Sequence, residues 1–424
     1  CALPICSGKD EVINHLSTIA PQTESIFQEV RGGTGHAVRL ALQGGPEKGS
    51  VLVCAGDTPL LTGNALQTLI QSHSDSSSVS TILTAEVPDP FGYGRIVRST
   101  DGLVARIVEE KDASEAEREI TEINSGVYVF DIAALTDALT KITTSNSQKE
   151  EYLTDVIKVM TAAGKKVSAY CLEDFTETLG INDRAQLAEC AALMQARINH
   201  AVMVSGVSIV DPATTWIDVT VEIEKDVTIK PGSALHGTTS ISSGAIIGPR
   251  TTLMDCRVGS GAEILESFCQ STAIGDGAKV GPYAHLRQGT SLSANTRVGS
   301  FVEIKNSTLG DGSKVPHLSY VGDATIGKES NIGAATVFVN YDGVEKHPTT
   351  VGDHVRIGSD SMLIAPVSIG DGAYTAAGSV ITEDVPAGAL GVGRSRQVNI
   401  LGWVLKKRKG TKSADAAEKK GRNE

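Results

Sequence analysis

Two cations stand one position past an apolar residue of a regular series. Arg287 follows Leu286 and Lys305 follows Ile304, so both side chains point outward, where a pair of cations can clamp a phosphate. His317 and Tyr320 lie just ahead of Val321, and an imidazole can serve as general base on an amine nucleophile near neutral pH. Asn331, Asn340, Tyr341 and Ser359 add polar groups. Taken singly, each reads as a solvated surface residue. Their concentration between 287 and 359, around one interruption of a repeat, argues for a site.

The N-terminal part carries a second set. RGGTGHA at 31–37 is glycine-rich ahead of a helical pattern, so its backbone N–H groups can approach an anionic or nucleotide ligand, although a tight turn opening a helix has the same composition. Asp57 closes the apolar run 50–56. A carboxylate there is a hard oxygen ligand for Mg2+ bridging phosphates, or a plain helix cap. FGYGR at 91–95, EEK at 109–111 and EINSG at 122–126 mark further strand boundaries.

The elements that must hold these residues differ between the two halves. Residues 8 to about 180 alternate strand patterns (50–56, 79–87, 124–130) with helical ones (64–73 behind an Asn64 cap, 152–163). That order predicts a mostly parallel sheet, with 50–56 a buried parallel strand, and helices on both faces. Asn182 is expected to cap a helix running to about Asn199 as a linker arm. Residues 1–7 show neither strand nor cap logic and open on Cys1, which reads as a fragment lacking its true N-terminus.

After Val210 the period changes to six. Ile217, Ile223, Ile229, Leu235, Ile241, Ile247 and Leu253 form one run; after an irregular stretch the spacing resumes from Ile274 to Ile304, and again from Leu309 to Val321, from Ile326 to Phe338 and, past an insertion, from Val351 to Ile369. No helix or simple strand has that period, whereas the six-residue side of a triangular coil does. The expectation is a left-handed parallel β-helix of roughly nine coils. The segment 340–349 (NYDGVEKHPT) cannot lie in the coil wall and must project as a loop. The expected division is 1–181, a linker helix at 182–204, the β-helix at 205–400, and a basic disordered tail at 401–424.

Composition narrows the function classes. The 44 glycines and 4% aromatic content suit thin, tightly cornered coils. A net charge of −12 argues against a nucleic-acid-binding body. The seven cysteines show no CxxC pairing, which reads as reduced, buried thiols of a cytoplasmic protein. No apolar run approaches the ~20 residues of a membrane span, and no signal peptide is visible.

RGGTGHA at 31–37, DPFGYGRI at 89–96, VEEKDA at 108–113, EINSG at 122–126, KVPHLSYVGDA at 314–324, NIGAATVFVNYDG at 331–343, IGSD at 357–360 and TAAGSVIT at 375–382 together resemble one bacterial family. It joins glucosamine-1-phosphate acetyltransferase and N-acetylglucosamine-1-phosphate uridyltransferase on one chain and makes UDP-N-acetylglucosamine. The resemblance implies an α/β nucleotidyltransferase-like, Rossmann-like domain ahead of the β-helix, and a homotrimer. It implies that His317 takes the proton from the glucosamine amine as it attacks acetyl-CoA. Arg287 and Lys305 would hold the sugar phosphate, Tyr320 and Asn331 the sugar. Ala334, Asn340, Tyr341, Ser359, Ala377 and Arg394 would line the acetyl-CoA site. Gln28, Gly33, Thr34, Gly56, Asp57, Gly94, Glu109, Asn124 and Asn182 would bind the uridine nucleotide sugar, with Asp57 and Asn182 holding Mg2+ as the sugar phosphate attacks UTP.

Three departures from the family stand out. The glycine-rich LAAGxGTRM-type loop and a later lysine, which cradle the triphosphate, do not occur before Gln28, so little or no uridyl transfer is expected from this stretch of chain. Ala55 precedes Gly56 where tyrosine or another residue occurs. Ala335 replaces a usual glycine; if that position needs positive φ, alanine there costs on the order of 1 kcal/mol. Rival readings are another hexapeptide acyltransferase fused to a sugar-nucleotidyltransferase-like domain, a zinc carbonic-anhydrase-type β-helix, and a non-catalytic scaffold. NYDG with HLSYVGD speaks against the first, the lack of suitably spaced histidine pairs against the second, and the clustering of base, cations and asparagines against the third.

Overall fold

A computed structural model of the chain describes residues 2–5 and 8–421. These form two compact units, Cys1–Met194 and Gln195–Glu424.

In the first unit, Ser50–Val53, Ser80–Glu86, Arg95–Arg98 and Val167–Leu172 run one way, and Val104–Val108 and Glu122–Asp131 run the other. The mostly parallel sheet expected from the strand–helix alternation is therefore corrected. Ser50–Val53 and Ser80–Glu86 do share a direction, as a strand–helix–strand crossover requires. The ten-residue strand Glu122–Asp131 is inserted between them and pairs antiparallel with both. A short turn at 99–103 also joins Arg95–Arg98 and Val104–Val108 as a hairpin, which the sequence pattern did not reveal.

Alternating side chains serve both sheet faces. Ile82, Tyr128 and Phe130 pack with Leu135, Val156 and Ile157, whereas Leu83, Val127 and Val129 pack with Ala65 and Leu69. Helices thus cover both faces, as expected. Several boundaries move. The helix Gly63–Ser76 is capped by Thr62, whose Oγ1 accepts from the Ala65 N–H at 3.1 Å, not by Asn64. Ala2–Ile5, read as patternless, is a strand parallel to Glu24–Phe27; Cys1, Cys6 and Ser7 of the same stretch lie outside the described residues.

The helix Arg184–Val204 begins one residue later than expected. The Asp183 carboxylate accepts from the Ala185 and Gln186 N–H groups, both at 2.8 Å. The division between units falls inside this helix. Gln195 Oε1 accepts from the Ile217 N–H, and the Asn199 amide donates to the Pro212 and Thr215 carbonyls, fixing the helix's second half to the first coil.

The second unit is a parallel β-helix of three sheets with ten, nine and eleven strands. Each coil contributes one short strand to each sheet, so inward residues stack in columns. One column runs Ile217, Leu235, Leu253, Cys269, Leu286, Ile304, Val321, Phe338, Leu363 and Ile381, all buried. Each fully buried aliphatic contributes about 2 kcal/mol. The stretch read as irregular is fully coiled: Val258, Ile264 and Cys269 fill inward positions, with the steps from Leu253 to Val258, from Ile264 to Cys269 and from Cys269 to Ile274 each one residue short. Shortened sides hide a six-residue period without breaking the stack.

Corners are turned by residues in the left-handed region. Tyr283, Phe301, Leu318 and Ala335 occupy equivalent corner positions with φ of 61, 58, 53 and 60°. The expected positive φ at Ala335 is present, and three neighbouring coils tolerate larger side chains in the same conformation. The tail read as disordered carries helices Trp403–Lys407 and Lys412–Gly421. Its low apolar content concealed strong helix formers, Ala, Glu and Lys, behind Thr411, whose Oγ1 accepts from the Ala414 N–H.

Candidate functional site

In the β-helix the parallel register collects side chains that sequence spreads over more than fifty positions. The strands His285–Leu286, Glu303–Lys305, Tyr320–Gly322 and Val337–Val339 are consecutive members of one sheet. Their C-terminal ends stack Arg287, Lys305, Asp323 and Asn340 along one corner. Arg287 pairs with Glu303 at 2.9 Å. The Lys305 ammonium lies 3.8 Å from Asp323, which also accepts from the Asn306 amide at 2.7 Å and the Asn340 amide at 2.5 Å. Lys346 of the insertion reaches the same place. Its proximity, then burial, pushes the Lys305 ammonium below the usual lysine range; Arg287 adds to this and Asp323 opposes it. Three cations therefore converge where the sequence reading placed two.

The expected projecting loop is a small closed hairpin. Tyr341 and Lys346 form an antiparallel bridge, and the His347 N–H donates to the Asn340 carbonyl at 2.8 Å. Asp342 accepts from the Val344 and Glu345 N–H groups and lies 2.7 Å from His347 Nε2, which holds its carboxyl well below the usual range. Thr349, at the loop's expected end, is already back in the coil wall. Asn340 is buried at the loop's base. A Cβ added at Gly322 would lie 2.5 Å from the Tyr320 hydroxyl and 2.6 Å from the Asn340 amide nitrogen. Glycine there is what lets Tyr320 reach this corner.

A second column stands at the opposite end of the same sheet. The N–H groups of Leu318, Ala335, Asp360 and Gly378 donate to the carbonyls of Ser300, His317, Ala334 and Ser359 respectively. His317, Ala334, Ser359 and Ala377 are thereby placed one above another on successive coils. Arg394 passes beside the column, its Cδ 3.8 Å from where a Gly378 Cβ would sit. The His317 side chain is solvent-exposed. The structure does not unite every predicted residue. Asn340 and Tyr341 lie at the far end of Val337–Val339 from Ala334. Asn331 stands apart, stacked between Lys314 and Arg356 beside a small cavity.

Asp323, Lys346, Glu303 and Asn306 were missed from the sequence. The signal was available: Gly322 is in register with Lys305, so Asp323 falls beside Asn306.

In the first unit, the glycine run is stitched to residues 151–153. Glu151 N–H donates to the Gly32 carbonyl, Gly35 N–H to the Glu151 carbonyl, and Leu153 N–H to Thr34 Oγ1. Gly33 has φ of 100°, and a Cβ there would lie 2.5 Å from the Glu151 carbonyl oxygen. Gln28 is buried, bonded through its amide to the Gly33 carbonyl and 3.0 Å from His36 Nδ1. One residue on, Thr154 donates to Glu109 at 2.8 Å. Burial, then neighbouring Asp155 and Asp112, push the Glu109 carboxyl up against that hydrogen bond. Gly94 joins Glu109 to Asn124, whose N–H donates to the Gly94 carbonyl.

Asp57 and Asn182 are also brought together, because the Ile181 N–H donates to the Asp57 carbonyl at 2.9 Å. Both side chains face solvent. Gly56 precedes Asp57, and the adjoining Ala55 Cβ lies 3.5 Å from where a Gly126 Cβ would project. Thr154 was absent from the sequence reading; its place between Leu153 and Glu109 is a tertiary fact without local signature.

Comparison with known proteins identifies both halves of the chain. The nucleotidyl transferase family matches residues 8–220. The bacterial transferase hexapeptide family, described as six repeats, matches 348–383. Among curated relatives, the bifunctional protein GlmU of Streptomyces coelicolor is 54% identical over 97% of this chain and 86% of its own length. That of Kineococcus radiotolerans is 52% identical over 97% and 84%, and that of Mycobacterium tuberculosis 52% over 95% and 82%. With a nucleotidyltransferase unit, a hexapeptide β-helix and relatives of this likeness along nearly its whole length, the chain belongs to the GlmU family of bifunctional transferases, which combine acetyl transfer and uridyl transfer in producing UDP-N-acetylglucosamine.

Proposed function

We propose that the β-helix site transfers the acetyl group of acetyl-CoA to the amine of glucosamine 1-phosphate, with His317 as general base. The amine attacks the thioester carbonyl, the C–N bond forms as the C–S bond breaks, and the CoA thiolate leaves. The amine's proton passes to the imidazole nitrogen. The convergence of Arg287, Lys305 and Lys346 carries this reading, because a phosphate dianion is the small ligand such a cluster favours. Tyr320 and Asn331 contact the sugar, and Ala334, Asn340, Tyr341, Ser359, Ala377 and Arg394 the acetyl-CoA. Mutation of His317 with acetyl-transfer assay is the direct test.

The active form is a homotrimer on this reading. Tyr283, Phe301 and Leu318 are 54, 60 and 61% exposed in a column beside His317, an apolar ridge that a neighbouring copy would cover. Asn331, stacked with Lys314 and Arg356 and not in the His317 column, would then serve a neighbour's site. Light scattering across a dilution series tests this; a monomer retaining full acetyl transfer would overturn it.

The first unit, as a member of this family, serves uridyl transfer from UTP to N-acetylglucosamine 1-phosphate with release of pyrophosphate, and against the expectation of little or no transfer it keeps the residues that would hold the nucleotide sugar. Gln28, Gly33, Thr34, Gly56, Gly94, Glu109 and Asn124 hold the nucleotide sugar. Asp57 and Asn182 offer adjacent, solvent-facing hard oxygen donors. One carboxylate and one amide oxygen, leaving further positions for water and phosphate oxygens, fit Mg2+. The bound ion would offset phosphate charge during the attack. Among the described residues no helix is long and apolar enough to cross a membrane; acetyl-CoA and UTP, the co-substrates on this reading, support a cytoplasmic location.

A further inference from the structure

We propose that Asp323 is a positioning residue for the sugar phosphate: its carboxylate sets the Lys305 ammonium and the base of the 341–347 hairpin in place before substrate arrives. The inference rests on the acetyl-transfer reading of this site.

Asp323 occupies the point where four elements meet. Its N–H donates to the Lys305 carbonyl, and its own carbonyl accepts from the Thr349 N–H, where the chain re-enters the wall after the hairpin. Its carboxylate accepts from Asn306 on the preceding coil and from Asn340 at the hairpin's base. Both carboxylate oxygens therefore have amide partners, and the side chain is only 13% exposed. A corner requirement alone does not call for a buried carboxylate, because other coils turn the equivalent corner with Gly237, Ser271 and Asn306, and the aspartate at that position on another coil, Asp255, is exposed.

The distance to Lys305 separates the candidate roles. At 3.8 Å the ammonium is close enough to feel the carboxylate but is not held in a short ion pair. Its three N–H donors stay available to a phosphate. The charged groups facing Lys305 are Arg287 and Glu303 from the preceding coil and its own strand, Lys346 from the hairpin, and Asp323 from the following coil. Glu303 is already paired with Arg287. Asp323 is thus the carboxylate that offsets repulsion between Lys305 and Lys346 while the site waits for an anion. It also ties the hairpin carrying Lys346 to the coil carrying Lys305.

The test compares Asp323→Asn and Asp323→Glu with the full chain, by steady-state acetyl transfer between pH 6.5 and 9. Asn suits the positive φ of 51° at this corner, so the first variant removes charge with little backbone strain. Asp323→Asn is expected to raise KM for glucosamine 1-phosphate about tenfold at neutral pH, the scale of one charge-assisted contact, with kcat and the acetyl-CoA KM within about threefold. That KM should climb further as pH rises, because Lys305 loses its proton earlier without its counter-charge. Asp323→Glu, which keeps the charge, should raise KM but retain the parent's pH profile, and it carries the test if the first variant does not fold. Equal loss in kcat and both KM values, or parallel pH profiles in the parent and Asp323→Asn, would mean a purely structural corner. A parent chain inactive on glucosamine 1-phosphate would instead remove the underlying reading.

Discussion

The carbonyl of His317 accepts a hydrogen bond from the N–H of Ala335 one coil further on, at 3.2 Å. This bond belongs to the same inter-coil ladder that carries Ala334, Ser359 and Ala377. The position of the proposed base is therefore set by backbone, and its imidazole is left free in solvent.

It follows that His317→Ala should remove chemistry without removing structure. The variant is expected to lose acetyl transfer by about 10²- to 10⁴-fold in kcat, the usual range for a general base. Its unfolding midpoint should stay close to the parent's. Release of free CoA thiol measures the first and circular dichroism the second. Retention of most activity would remove His317 from its role.

Arg287→Ala and Lys305→Ala should act mainly on KM for the sugar phosphate, by about ten- to a hundredfold each, because each deletes one charge-assisted contact to the dianion. Their effects should be less than additive, since both cations share one phosphate. A double-mutant cycle of acetyl-transfer rates is the measurement. A change confined to the acetyl-CoA KM would contradict the assignment.

Gly33→Ala places a Cβ 2.5 Å from the Glu151 carbonyl at a φ of 100°. It should destabilise the first unit by about 2 kcal/mol or more and separate residues 31–35 from 151–153. Uridyl transfer is expected to fall sharply while acetyl transfer persists. Proteolysis and parallel assays on one preparation check this, and unchanged uridyl transfer would show that the stitch has no part in nucleotide binding.

The hairpin should have an acid limit. Hydrogen bonds from the Glu345 N–H, His347 and the Val344 N–H hold the Asp342 carboxyl well below its ordinary value. A depressed carboxyl contributes order above the unfolded value of about 4 and loses it as pH falls through the lower folded value. The hairpin is therefore expected to stay closed from neutrality down to about pH 4 and to loosen below it. Amide exchange at Val344 and Glu345 reports this directly; loosening already at pH 6 would assign the closure to another group.

Ala335→Gly addresses the departure from the family pattern. Relief at a φ of 60° is on the order of 1 kcal/mol, set against a similar entropic penalty for glycine. The midpoint should rise by no more than about 3 °C, with the acetyl-CoA KM within about twofold. A large gain in acetyl transfer would show that alanine distorts the wall after all.

The β-helix was legible because its core repeats. Ile217 through Leu253 declare the period, and the columns follow from it. Cys269 and the shortened sides around Val258 were not legible, since a coil can lose a residue per side without losing its stack. In the first unit the alternation of strand and helix gave two-faced packing correctly. The insertion of Glu122–Asp131 between two strands of common direction is a pairing choice with no local mark. Site residues showed the same division. Arg287, Lys305 and His317 announced themselves by spacing, whereas Asp323, Lys346 and Thr154 acquire meaning only from what register or tertiary contact sets beside them. The tail misled because its helix formers are also its charges.

The hairpin at 341–347 leaves the wall after Val339 and returns at Thr349 with Ile326 and Val351 still in register. A corner can thus admit or shed chain length without disturbing any coil beyond it. For a lineage this separates two kinds of change: the wall is constrained to keep its columns, while the corner is free to try new loops. Substrate choice in such a scaffold can drift by trading one hairpin, leaving the rest of the molecule unaware of the exchange.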